Sequence, residues 1–373
     1  MGISGIHSCL GAYQLHIDQA LLTWLTGLLP ALKSIQGQRH IKYWAGKTVA
    51  VDAYGWLHRG TVACAVDLAL GKPTNKYVGF AMGRVKMLQH FGVTPYLVFD
   101  GDYLPSKARE ESGRAAQREA SKKAGLELLR QGKSSQAYVK LQKAIDVTPQ
   151  MARHLIDALI EVNVNYVVAP YEADAQMYYL ERSGIVDAIL SEDSDLLVFG
   201  CKNLITKLDQ FGECVHICRD DFSSCKEMAL AGWTAAEFRS MAILSGCDYL
   251  ENIPRLGLKT AHRLVRKHKV IDKIIRVIRF DGQYTVPADY LEQFRRAELT
   301  FLHQRVYCPL VNRMVMCSDP ASPLKDVDLI FIGPEIEEKL IQKIARGELD
   351  PMTKKPLLIQ GNSGNTVSTI FHG

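Results

Sequence analysis

The chain has 373 residues, enough for two or three domains or for one large core with additions, and its 47% hydrophobic and 23% charged content is ordinary for a folded globular protein. A formal net charge of +5 does not by itself mark a polyanionic partner, so the distribution of charge matters more than its sum. Nine cysteines at irregular spacing exclude a disulfide framework and suit reduced, mostly buried thiols in an intracellular protein. Cys214, His216, Cys218 and Cys225 lack the paired C-x-x-C spacing of a zinc site and read as ordinary residues near a strand and a helix.

The first 26 residues contain no Lys or Arg, so neither a secretory leader nor an Arg-rich presequence fits. Ile6 stands where a myristoylation motif needs Ser or Thr. Gln14, His16, Asp18 and Gln19 interrupt the apolar stretch from Leu10 to Leu32, which argues against a membrane span. From Lys47 onward apolar runs alternate with helical patterns, predicting an α/β fold with a central, mostly parallel sheet flanked by helices. A strand at 47–53 leads into a helix near 54–70; Gly71-Lys72-Pro73 punctuates it, and a second helix covers about 76–91.

Residues 107–146 are helical in propensity, polar on most faces and broken at Gln131-Gly132-Lys133. They carry ten Lys or Arg against five Asp or Glu, which fits either a solvated helical hairpin or a basic arm placed directly after an acid. Strand–helix alternation resumes over 148–230, with a hairpin expected at Leu204–Val215 turning at Gln210-Phe211-Gly212. A helix at 236–246 leads to Ser245-Gly246-Cys247-Asp248-Tyr249, and Arg255-Leu256-Gly257-Leu258-Lys259 reads as a tight turn opening another helix. Between Lys259 and Phe280 stand eight Lys or Arg and one acid, Asp272; helix N-terminal amides followed by a basic face suit a phosphodiester backbone.

Seven carboxylates carry the chemistry: Asp52, Asp100, Glu172, Asp174, Asp193, Asp195 and Asp248. The first six each follow a short apolar run (Thr48–Val51, Tyr96–Phe99, Tyr166–Ala169 and Ala188–Leu190), so the expected strands deliver them to one sheet edge. Acids gathered there repel at neutral pH unless cations sit between them, and hard divalent ions held by carboxylate oxygens answer that need. A single pair such as Asp193 and Asp195 is explained by helix capping, but two i, i+2 pairs plus single acids at successive strand ends are not. The arrangement suits two-metal phosphoryl chemistry, with Mg²⁺ as the expected ion and Mn²⁺ as a substitute. Lys107 and Arg114, seven residues apart, are expected on one helix face, close enough to Asp100 to meet a scissile phosphate. Tyr54 and His58, four apart after Asp52, either stack on bases or pack in the core beside Trp56.

The runs Val-Ala-Val-Asp52-Ala-Tyr-Gly-Trp-Leu-His, Leu-Val-Phe-Asp100-Gly, Ala-Pro-Tyr-Glu172-Ala-Asp174-Ala-Gln, Ser-Glu-Asp193-Ser-Asp195-Leu-Leu and Leu-Ser-Gly-Cys-Asp248-Tyr resemble the structure-specific 5′ nuclease superfamily, from Gly27 to about Asp350. The resemblance implies that all seven acids are metal ligands, that Lys107 and Arg114 belong to a helical arch over 107–147, and that Tyr54 and His58 stack near a 5′ end. It also implies a helix-turn-helix over 245–261 that grips duplex DNA through residues such as Ser245, Gly257 and Lys259 and holds K⁺. Its domain plan is an atypical segment over 1–26, nuclease regions over 27–106 and 148–250, the helix-turn-helix with C-terminal helices over 251–350, and a disordered tail over 351–373.

The implied activity is Mg²⁺-dependent 5′→3′ hydrolysis of duplex DNA with 5′ flap cleavage, on DNA with a 5′ end, nick, gap or flap. The implied setting is the nucleus, in mismatch repair, end resection and recombination with mismatch-repair proteins as partners. No Gln-led clamp motif of the flap-endonuclease branch is present, which tilts the chain towards the exonuclease branch, with a flap endonuclease proper as an alternative. Two departures stand out. Residues Ile6 to Thr26 separate Met1–Gly5 from Gly27–Lys33, which run together in the superfamily; retained non-coding sequence or a gene-model error is favoured over an evolved element. A DNA-end-binding variant impaired by this insertion is the non-enzymatic alternative, and deleting 6–26 would then restore cleavage. Arg255 occupies a turn position where the superfamily usually has Gly, at a cost of about 1 kcal/mol if φ is positive there. The superfamily's exonuclease branch continues into a long partner-recruiting region, which a truncated or alternative product would lack.

Overall fold

Seven strands line up in the order β1-β7-β6-β5-β2-β3-β4 in the computed structural model. They are β1 (Gln36–His40), β2 (Thr48–Asp52), β3 (Thr94–Phe99), β4 (Asn165–Val168), β5 (Ala188–Leu190), β6 (Asn203–Thr206) and β7 (Glu213–Cys218). The structure describes residues 27–358; the expected insertion at 6–26 and the tail beyond 358 lie outside them. Within the described residues the chain forms two units: a larger one of Gly37–Arg219 with the chain from Arg295, and a smaller one of Asp220–Phe294 with the residues before Gly37. No helix among the described residues is long and apolar enough to cross a membrane.

The larger unit holds the sheet. β2 pairs in parallel with β3 and β5, β3 with β4, and β5 with β6, whereas β6 and β7 form the expected antiparallel hairpin. The central strands are short apolar runs because both faces are covered: Val49, Ala50, Val51, Leu97, Val98, Phe99, Ala188 and Ile189 are buried. The chain builds β2, β3 and β4 outward in one direction and then returns across β2 to add β5 and β6. Such a reversal, beyond the carboxyl ends of β2 and β5, is where open parallel sheets place their ligand sites.

The helix expected over 54–70 is two helices, Ala53–Val62 and Ala65–Ala69, broken where Cys64 leaves helical geometry. Gly60 lets the first cross the Lys76–His90 helix, since a Cβ there would stand 2.7 Å from the Tyr77 Cα. The polar segment after Asp100 folds into the helices Ala108–Arg130 and Ser134–Gln142, separated at the expected break. Gly125 admits the Leu141 side chain between them, so this is a close-packed helical pair. A second sheet of β8 (Arg305–Cys308) and β9 (Arg313–Met316) packs beside the Ala173–Arg182 helix through Gln176 and Tyr307. The chain stays paired as far as Leu358, whose N–H and carbonyl both bond the Gln150 amide, so order extends past the expected start of the tail at 351.

In the smaller unit Thr234 and Glu237 form a reciprocal capping box that starts the Ala235–Ser245 helix. The Leu258–His268 and Ile271–Asp281 helices follow. In the latter, Ile274, Ile275 and Ile278 face inward, and all eight Lys and Arg between Lys259 and Arg279 are exposed. Arg255 has φ +70°, so the turn does ask an L-residue to adopt a left-handed conformation.

Candidate active site

Each acid-bearing strand end is shaped by a local hydrogen bond. Asp52 ends β2 and caps the next helix, its Oδ1 accepting from the Gly55 N–H at 2.9 Å. The Ser191 hydroxyl approaches the other oxygen at 3.5 Å. Asp100 follows β3 and accepts from the Ala173 N–H at 2.8 Å, tying it to the first turn of the helix that carries Glu172 and Asp174. Beyond β5, the Asp193 N–H donates to the Ser191 hydroxyl at 3.1 Å, and Asp193 in turn accepts from the Asp195 N–H at 2.8 Å. Asp195 starts the Asp195–Phe199 helix and is only 3% exposed.

Gly101 brings the loops together. Its N–H donates to the Tyr171 carbonyl at 2.5 Å and that of Asp102 to the Pro170 carbonyl at 3.0 Å, prolonging the pairing of β3 with β4. A Cβ at Gly101 would stand 2.0 Å from the Ala169 carbonyl oxygen. Only glycine permits that approach, and it carries Asp100 to the turn bearing Glu172.

The electrostatics report a shared cluster. Burial pushes the Asp100 carboxyl up to about 7, with Asp52 and Glu172 adding to the rise and the Ala173 amide and Lys107 opposing it. Asp174 is raised well above the ordinary carboxylate value by burial first, then by Asp193, with Asp52 and Glu172 contributing and Lys107 opposing. Burial also raises Asp52, against the Gly55 amide and Arg59. Five of the acids therefore feel one another directly, and Asp195 adjoins them through Asp193.

Lys107 enters this cluster. Its ammonium pairs with Glu172 Oε1, the two side chains being 15% and 10% exposed. Lys107 ends a short 3₁₀ turn and stands at the N-cap of the Ala108–Arg130 helix, so of the expected pair only Arg114 lies within that helix. Arg114 pairs with Glu110 and Glu111 of its own helix. Tyr54 lies within electrostatic reach of Asp100, and burial raises its hydroxyl pKa. His58 is an exposed residue whose ring nitrogens are nonetheless desolvated, which lowers its pKa; Arg118 and Arg114 lower it further and Asp146 opposes them. Trp56 packs in the core.

Asp248 belongs to the smaller unit, in the turn between Cys247 and Leu250, which pair as an isolated antiparallel bridge. Ser245 ends its helix with its hydroxyl on the Ala242 carbonyl, Gly257 caps the next helix, and Lys259 is exposed in that helix's first turn. Sequence reasoning missed Gly101, Ser191 and Gln304. Gly101 had a signal, a glycine directly after a strand-end acid; Gln304, whose amide reaches Glu172, had none.

As placed, no three His, Cys, Asp or Glu side chains among the described residues are spaced to hold an ion. The donor set is nonetheless all carboxylate oxygen, with protonation favoured by burial first and by the neighbouring charges second. That chemistry fits a hard divalent cation and not a thiolate-bound one.

Fold and site together define an α/β protein with partly buried acids at the switch point of a mostly parallel sheet. The model of the XPG N-terminal domain matches residues 25–121, and that of the XPG I-region matches residues 163–248. DNA damage-inducible protein DIN7 of Saccharomyces cerevisiae is 37% identical over 90% of this chain and 83% of its own length. The chain belongs to the XPG family, on the branch that contains exonuclease 1. Exonuclease 1 of Arabidopsis thaliana is 44% identical over 89% of this chain and 45% of its own length; exodeoxyribonuclease 1 of S. cerevisiae is 41% identical over 88% and 50%. The chain thus spans about half the length of these relatives. The catalytic core of Rad2 in complex with DNA substrate shares the fold, with 18% identity and a TM-score of 0.53 over 83% of this chain and 86% of that one.

Proposed function

We propose that the chain is a divalent-metal-dependent 5′ nuclease that hydrolyses DNA phosphodiesters 5′→3′ from ends, nicks and gaps and also cuts 5′ flaps. The observation that carries this reading is the set of partly buried, mutually repelling carboxylates beyond β2, β3, β4 and β5, with Lys107 among them. Asp52, Asp100, Glu172, Asp174, Asp193 and Asp195 would hold Mg²⁺, and Asp248 is assigned to the same set on its sequence motif alone. Two such ions, when bound, supply a hydroxide equivalent and offset charge on the leaving oxygen, and Mn²⁺ substitutes for Mg²⁺.

The chain's own residues do the rest. Lys107 leaves Glu172 for the incoming phosphate and offsets its growing negative charge. Arg114 adds a second cation from the 107–147 arch once it exchanges its helix carboxylates for phosphate oxygen. Tyr54 and His58 support the terminal base. In the smaller unit, the exposed cations from Lys259 to Arg279 and the amides after Gly257 follow the duplex backbone, with a K⁺ ion at the Ser245 turn. The names of the exonuclease 1 relatives support this reading, as does the DNA bound to the Rad2 core. A role in nuclear DNA repair alongside mismatch-repair proteins follows from the same kinship.

A 5′-end-labelled duplex and a 5′-flap substrate, incubated with Mg²⁺ or Mn²⁺, test the activity. Cleavage that needs the metal and disappears in Asp193→Ala is the expected result. Full cleavage by Asp193→Ala would remove the metal-site assignment.

A further inference from the structure

Residues 304–307, outside both matched domain models, reach back to the helix that carries Glu172. Gln176 on that helix is fully buried and bonded both ways to Tyr307: its Nε2 donates to the Tyr307 carbonyl and its Oε1 accepts the Tyr307 N–H, each at 2.8 Å. One turn earlier, Gln304 Nε2 donates to Glu172 Oε2 at 2.6 Å, while Glu172 Oε1 meets Lys107. Gln304 is itself fixed. Its side chain is fully buried, its N–H donates to the Thr300 carbonyl at 3.3 Å, and its carbonyl accepts the Cys317 N–H at 2.8 Å.

The Gln304 Oε1 is buried and has no hydrogen-bond partner among the described residues. A buried amide satisfied on one side only is disfavoured unless its other side makes a strong bond, and N–H to carboxylate is such a bond. Turning the amide over would aim an oxygen at the carboxylate, so one orientation remains. An apolar side chain of the same size would fill this place without the unsatisfied oxygen, so packing alone does not call for glutamine.

We propose that Gln304 is a positioning residue: it holds one oxygen of Glu172 so that the other faces the acid cluster, and thereby sets the cluster's affinity for a divalent cation. This rests on reading the acids as a metal-binding set. Outer hydrogen bonds of this kind typically change metal affinity 10–100-fold.

The test is Mn²⁺ binding to DNA-free protein, followed by the electron paramagnetic resonance signal of free Mn²⁺. Gln304→Met keeps length and apolar packing but has no N–H; its Mn²⁺ Kd should rise at least about 10-fold. Gln304→His, whose Nε2–H extends about as far as the glutamine amide, should recover most of that loss. Wild-type affinity in Gln304→Met, or a Gln304→His variant no better than Gln304→Met, overturns the proposal. Absence of Mn²⁺ binding by the wild-type protein overturns it together with the metal-site reading, which separates the two failures. A crystal structure of the wild-type protein with Mn²⁺ gives a check independent of variant folding: Gln304 Nε2 must stay bonded to Glu172, and a Glu172 carboxylate turned away from it refutes the role.

Discussion

Replacing Gly101 by alanine adds one methyl group where β3 hands Asp100 to the site. That Cβ would lie 2.0 Å from the Ala169 carbonyl oxygen and 2.5 Å from both the carbonyl carbon and the oxygen of Pro170. These are backbone atoms with no rotamer to change, held by the Gly101-to-Tyr171, Asp102-to-Pro170 and Ala169-to-Phe99 hydrogen bonds. The 169–171 segment must retreat by roughly an ångström, giving up favourable packing and at least one of those bonds. Overpacking at about 1–3 kcal/mol and one hydrogen bond at about 1 kcal/mol give an expected loss of about 3 kcal/mol in urea unfolding. Because Glu172 and Asp174 move with the segment, cleavage should fall about 100-fold in the protein that remains folded. Gly83→Ala is the reference: Gly83 is exposed inside the Lys76–His90 helix, a Cβ there meets nothing within 4 Å, and stability should rise by about 0.5–1 kcal/mol. A Gly101→Ala protein within about 0.5 kcal/mol of the wild type would refute the close approach.

Asp193→Ala should abolish cleavage while salt-sensitive DNA binding persists in a filter or anisotropy assay. Lys107→Ala removes the cation from Glu172 and from the phosphate, and should lower kcat by about 100-fold or more with little change in DNA affinity, measured on a labelled flap. In chelator, stability should depend on pH with a definite sign. The Asp100 carboxyl is raised from 3.8 to about 7, so the fold favours its protonated form; that contribution is complete below about pH 4 and is lost as pH rises through about 7. The size is on the order of 4 kcal/mol, the melting midpoint in EDTA should fall across that window, and Mg²⁺ should restore it most at the alkaline end. An EDTA midpoint that rises from pH 4 to 7 would contradict a carboxyl raised by burial and by its neighbours at Asp100. Arg255→Gly relieves the positive φ and should raise the unfolding free energy by up to about 1 kcal/mol once the freer unfolded glycine is subtracted, measured in urea.

The sequence by itself determined the parts whose causes are local. Buried parallel strands have to be short apolar runs, so β2 to β5 and the acids directly after them could be read residue by residue, as could the β6–β7 hairpin from its Gly212 turn. The tight turn at Arg255–Gly257 was equally local, whereas the positive φ at Arg255, now seen as +70°, was suggested only by the glycine that related chains carry there. The helix break at Cys64 went unread because no Gly or Pro marks it. Tertiary structure decided which strand neighbours which, since a crossover that returns past β2 to β5 leaves no trace in periodicity. It also decided which cations serve the acids: Lys107 and Arg114 look alike on the chain, yet one ends a 3₁₀ turn beside Glu172 and the other is claimed by Glu110 and Glu111. Gln304 lies 132 residues from the carboxylate it bonds, and no local pattern records such a contact. The physical reason is range: strand ends and turns are set by a few adjacent residues, whereas the partner of a buried charge is set by whatever the folded chain brings within 3 Å.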